Sequence, residues 1–108
     1  MLWTLLRKIG LGAIVAIARY GELKDSGWFA SFNRQEAIDQ AGRPLPWLSY
    51  AAIYFLAERL QKHFEVFEFG SGNSTLWFAA RVHTVTSVEH NEAWYQRVRA
   101  QAPPNASV

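Results

Sequence analysis

Residues 66–75 read VFEFGSGNST. A β-rich run, Val66 to Phe69, stops at a glycine and passes through the small residues Ser71 to Ser74. A helical pattern then resumes from Thr75 to Arg81, with Leu76, Trp77, Ala79 and Ala80 as its apolar positions. A strand that leaves the sheet into a helix must come back before the next strand begins, so its neighbour runs parallel to it. The following residues fit. Thr84 to Val88 reads as a second strand, Asn91 can cap a helix through Trp94, Tyr95 and Val98 to about Ala100, and Ala106 to Val108 resembles the opening of a third strand.

Upstream, Ser49 is placed to cap a helix running to Lys62, with Ile53, Leu56, Ala57 and Leu60 on one stripe. Gly42, Pro44 and Pro46 punctuate the stretch before it. Residues 20–32 mix turn formers with Trp28, Phe29 and Phe32, which predicts a loop or a short helix. Residues 2–20 carry Leu2, Leu5, Leu6, Ile9 and Ala13 at helical spacing, weakened by Gly10 and Gly12. The expected organisation is an N-terminal helical and loop extension over 1–48, followed by an α/β domain with a parallel sheet over 49–108.

Composition narrows the function classes. Half of the 108 residues are hydrophobic and 15% aromatic, enough for a packed core in one small domain. Net charge is +2 with no dense Lys/Arg run, so nucleic acid is not indicated as a partner. Cysteine is absent, which removes disulfides and thiolate metal sites and is compatible with a cytoplasmic setting. After Arg7 and Lys8, an apolar run of ten residues from Ile9 is too short to span a bilayer. It resembles a signal-peptide core, with Ala16-Ile17-Ala18 as a small-x-small site, and it could also touch a membrane surface. An ordinary packing helix is the favoured expectation, with weak membrane contact through residues 1–20 as the alternative.

The chemistry concentrates around the glycine bend. A strand-to-helix turn aims backbone N–H groups at whatever lies above the sheet, and the helix start favours negative charge there. Gly70 and Gly72 allow close approach to the backbone. Glu89 follows the second strand, 19 residues beyond Gly70, where a carboxylate can accept both hydroxyls of a ribose. Glu68 lies in an otherwise apolar strand, where a carboxylate needs a partner; a ligand ammonium could supply one.

Glu68-Phe69-Gly70-Ser71-Gly72-Asn73-Ser74-Thr75 resembles motif I of class I S-adenosylmethionine-dependent methyltransferases, an acid and an apolar residue before Gly-x-Gly. Ser87-Val88-Glu89-His90 is similar to the acidic motif that follows it in that family. A wider likeness to a bacterial subgroup runs from Asp25 through Trp47 to Tyr95. The resemblance implies a Rossmann-like sheet and S-adenosyl-L-methionine as cofactor. It places Gly70, Ser71, Gly72 and their neighbours Asn73 and Ser74 near the methionine moiety, Glu68 near its amino group, Glu89 on the ribose hydroxyls and His90 against the adenine edge. Ser74 stands where many members have a third glycine, and it can instead cap the helix.

A nicotinamide dinucleotide site is the alternative enzyme reading, but its third glycine would fall on Thr75 and its strand end is apolar where this chain has Glu68. A non-catalytic protein using its apolar N-terminus for membrane or partner contact is a third. His63, His83 and His90 lack metal-ligand spacing, and no catalytic set can be assembled. Asn105-Ala106-Ser107 matches a glycosylation acceptor. Val66 to Phe69 is apolar on both faces apart from Glu68, the pattern of a strand covered on two sides. In the family topology that strand is central, so a sequence stopping at its third strand reads as an incomplete domain, with residues that handle an unidentified methyl acceptor missing.

Overall fold

The computed structural model describes all residues, 1–108, and the chain divides into two compact units, Met1–Arg43 and Pro44–Val108. No helix is long and apolar enough to cross a membrane.

The first unit holds four short helices, α1 (Leu2–Lys8), α2 (Gly12–Arg19), α3 (Glu22–Asp25) and α4 (Trp28–Arg34). The single helix expected over 2–20 is broken. Gly10 takes φ +78°, while the Gly10 N–H donates to the Arg7 carbonyl and the Leu11 N–H to that of Leu6. This pair of bonds is a Schellman termination, and it requires the left-handed conformation that glycine adopts without strain. Residues 20–32, expected as a loop or short helix, supply α3 and the start of α4. Trp28 stacks on Phe32 at 5.4 Å, one helical turn away. The Ser31 hydroxyl donates to the carbonyl of Ile38 at 2.6 Å and accepts its N–H at 3.1 Å, which holds the buried Ile38 against α4. Beyond it, Asp39 organises a tight loop. One carboxylate oxygen accepts the N–H groups of Ala41 and Arg43, and the other meets Arg43 Nε at 2.7 Å. Burial pushes the Asp39 carboxyl up, but the Arg43 and Ala41 hydrogen bonds and the Arg43 charge outweigh it, and its pKa is lowered.

The second unit contains α5 (Tyr50–Arg59), β1 (Glu65–Phe69), α6 (Asn73–Ala79), β2 (Thr84–Val88), α7 (Glu92–Gln101) and β3 (Ala106–Ser107). Its three strands form one parallel sheet in the order β1-β2-β3. The predicted caps act as caps: Ser49 accepts the Ala52 N–H and Asn91 that of Trp94. α5 ends three residues before the expected Lys62. Leu60 turns extended and packs against Ala79, Val82 and Val85, so tertiary burial overrides the helical pattern.

Alternation along the strands decides which side chains go in. Val66 and Val85 face the core beneath α6, and Val85 and Thr75 are essentially sealed. The opposite face differs from the expected two-sided cover. Phe67 and Phe69 pack edge to face on each other, and Phe69 remains 88% exposed. The physical reason is that the helix packed on the sheet, α6, lies against the Val66 and Val85 side. Asn105 has a structural task. Its side-chain amide shares two N–H donors among the carbonyls of Ala79, Val82 and His83, which pins the α6–β2 turn. A glycan on that nitrogen would replace one of its two N–H donors and so compete with these bonds.

Candidate functional site

The register Glu68↔Ser87 and Phe69↔Val88 sets the two strand ends level. The residues that follow, Gly70 and Glu89, therefore emerge side by side at the carboxyl end of the sheet. The Gly70 N–H donates to the Val88 carbonyl at 2.7 Å and extends the ladder by one bond.

Gly70 then turns with φ +80°, and a Cβ there would meet nothing within 4 Å. The glycine is needed for its left-handed backbone, and the space above it is open. Gly72 differs. It is extended, and a Cβ would touch only the Trp94 ring at ordinary contact distance, so local geometry does not demand glycine there.

The bend closes onto Glu89. Its Oε2 accepts the Ser71 N–H at 2.9 Å and the Ser71 hydroxyl at 3.2 Å, and its Oε1 accepts the Asn91 N–H at 3.0 Å. The N–H of Asn91, then that of Ser71, hold the Glu89 carboxyl below the usual 4.5, against an opposing push from desolvation. His90 Nδ1 lies 3.6 Å from Oε1, with its ring almost fully in solvent. The Glu89 side chain is only 5% exposed and faces the bend.

Glu68 does not wait for a ligand ammonium to offset its charge. Its Oε1 accepts the hydroxyls of Thr75 and of Ser87, the latter at 2.5 Å, while Oε2 accepts Ser74 Oγ at 2.8 Å. Three hydroxyls supply the hydrogen bonds that a half-buried carboxylate needs. Ser74 is consequently not a helix cap. It lies inside α6, and Thr75 Oγ1 accepts the Gly72 N–H at the helix start. Asn73 opens α6, two residues earlier than Thr75, the expected start.

Three residues that sequence reasoning left out of the site are central to it. Thr75 and Ser87 are buried and complete the Glu68 cluster. Trp94 reaches from α7, donates Nε1–H to the Ser71 carbonyl at 2.5 Å and lies beside Gly72. Ser87 carried a usable signal: it shares the inward phase of β2 with Val85, and a polar residue in that phase demands a partner. Trp94 carried none, since only the packing of α7 brings it to the bend.

Beside the bend lies an open depression of about 460 Å³, lined by Glu89, His90, Asn91, Ala93, Trp94 and Arg97. The Arg97 guanidinium sits 5.1 Å from the centre of the Trp94 ring. The arrangement offers two carboxylates, a left-handed glycine turn with open space above it, and an aromatic wall. It brings no side chain into position as a nucleophile paired with a base. Compared with protein-family models, curated proteins and solved structures, the chain matches none of them.

Proposed function

We propose that residues 65–97 bind S-adenosylmethionine at the carboxyl rim of a Rossmann-like sheet, as the cofactor-binding portion of a methyltransferase. The observation that carries this reading is the convergence of Glu89 with the glycine bend, 2.9 Å from carboxylate oxygen to Ser71 N–H. Likeness to the methyltransferase motifs over Glu68–Thr75 and Ser87–His90 supports it.

The acceptor arithmetic at the rim suits such a ligand. Each carboxylate oxygen carries two lone pairs. Oε1 of Glu89 uses one on Asn91, leaving one for a ribose hydroxyl. A second becomes free on Oε2 when the Ser71 hydroxyl, its longest contact, rotates away. Oε2 of Glu68 accepts Ser74 and keeps a lone pair for a cationic α-ammonium. The open space over Gly70 admits the chain between them, and the depression beside His90 and Trp94 takes the base. When bound, the cofactor supplies an electrophilic methyl group on a sulfonium. The protein's part is to orient it for in-line attack and to keep water away. No residue is assigned to the methyl acceptor.

Titration calorimetry on the full chain tests the reading. S-adenosylhomocysteine binds and NAD does not, and Glu89→Ala weakens binding by about tenfold or more, as expected for charge-assisted hydrogen bonds. Binding of NAD alone, or an affinity indifferent to Glu89→Ala, contradicts it.

A further inference from the structure

We infer that α1 and α2 form a two-helix patch that lies on an anionic lipid bilayer surface, a function separate from the rim of the sheet. Side chains facing solvent lead to it. On α1 and just beyond it, Leu2, Leu5 and Ile9 recur at spacings of three and four and are all more than half exposed. On α2 and its cap, Leu11, Ile14 and Ile17 recur at spacings of three and are also exposed, at 43%, 61% and 48%. Apolar side chains in contiguous groups of this kind mark an interaction surface, whereas scattered ones do not.

Charge selects the partner. Arg7, Lys8 and Arg19 lie on these two helices, and no acidic residue occurs before Glu22. The patch is therefore apolar and purely cationic. Two copies placed face to face would bring like charges together with no carboxylate to pair them, which disfavours self-association. An anionic bilayer presents the opposite charge over a fluid apolar interior, and that combination is what interfacial helices use.

Length fixes the mode of contact. At 1.5 Å per residue, helices of seven and eight residues extend only about 10–12 Å, far short of a hydrocarbon core of about 30 Å. They can lie in the interface and cannot traverse it. The Schellman stop at Gly10 sets this limit: it divides a helical segment that, if continuous from Leu2 to Arg19, would be more than twice as long as either helix.

Vesicle co-sedimentation of the full chain is the test. Phosphatidylcholine vesicles containing phosphatidylserine should pull the protein down, high salt should release it, and phosphatidylcholine alone should retain little. Removing two cations with Lys8→Ala and Arg19→Ala should weaken binding by about 25-fold, about fivefold for each charge near the surface. Ile14→Glu, an exposed position, should abolish binding while the circular dichroism spectrum stays unchanged. Protein that stays in the supernatant with anionic vesicles, that sediments without any vesicle, or that binds equally well as Ile14→Glu overturns the inference.

Discussion

Residues 44–108 assemble a buried apolar core on one face of their sheet, whereas residues 1–43 leave most of their apolar side chains facing out. In the sheet unit Ile53, Trp77, Ala79, Val82, Val85 and Val98 are buried, while in the helical unit Ile38 alone among the large apolar residues is. The difference follows from the elements available. A parallel sheet sends every second side chain to one face, and α6 in return covers that face. Helices of four to eight residues gain little from their own hydrogen bonds and have no sheet within their unit to cover. Polar groups follow the same division. The sheet unit buries hydroxyls and pairs them with Glu68 and with one another. In the helical unit the strongest polar arrangement is the Asp39 loop at the surface.

The largest test of this contrast is truncation of one side chain in each unit. Trp77→Ala should cost about 3–5 kcal/mol in urea denaturation, the range for emptying a buried aromatic site. Ile14→Ala should change stability by less than about 0.5 kcal/mol, as surface substitutions do. Equal losses would break the comparison. Next in size is the hydroxyl cluster. Glu68→Ala removes the acceptor of both the Thr75 and Ser87 hydroxyls, which then have only each other to donate to, at 3.3 Å, while Thr75 keeps the Gly72 N–H; the change should cost about 1–3 kcal/mol by the same measurement. Glu68→Gln, which keeps an acceptor, should lose less. Smaller again is the turn. Gly70→Ala meets no neighbour but must hold φ +80°, so backbone strain of about 1–2 kcal/mol is expected. Gly72→Ala should be close to neutral.

The smallest effect sharpens the electrostatics. The Glu89 carboxyl is held below its usual 4.5 by the N–H groups of Asn91 and Ser71. Its contribution to stability is therefore complete above that value and is lost as pH falls through the lower folded one. Thermal melts between neutral and strongly acid pH should show this loss in the native chain and not in Glu89→Gln. An identical acid profile for both would remove Glu89 from the stabilising set.

Local chemistry explains which features the sequence disclosed. The α/β alternation, the parallel pairing and the caps at Ser49 and Asn91 follow from periodicity and from side chains that satisfy their own neighbourhood, so short windows contain them. The proximity of residue 89 to the bend was also readable, since two parallel strands of equal length bring their ends level. What lay outside a local window was less accessible. The helix expected over residues 2–20 hinged on whether Gly10 tolerated a helix or stopped one, and the bonds of Leu11 and Gly10 back to α1 decide for the stop. Glu68 looked short of a partner because Ser74 and Thr75 follow six and seven residues later and Ser87 lies on another strand. Trp94 reaches Ser71 only through the placement of α7.

Nitrogen–proton correlation spectra, recorded as the full chain is titrated with S-adenosylhomocysteine, test the assignment of the rim most directly. The backbone N–H groups of Ser71, Gly72 and Asn91 and the indole N–H of Trp94 should shift most, because the ligand competes for the oxygens they now engage or borders them. Saturating ligand that leaves those four signals in place, or shifts confined to residues 1–43, would contradict an adenosyl site at the carboxyl end of this sheet.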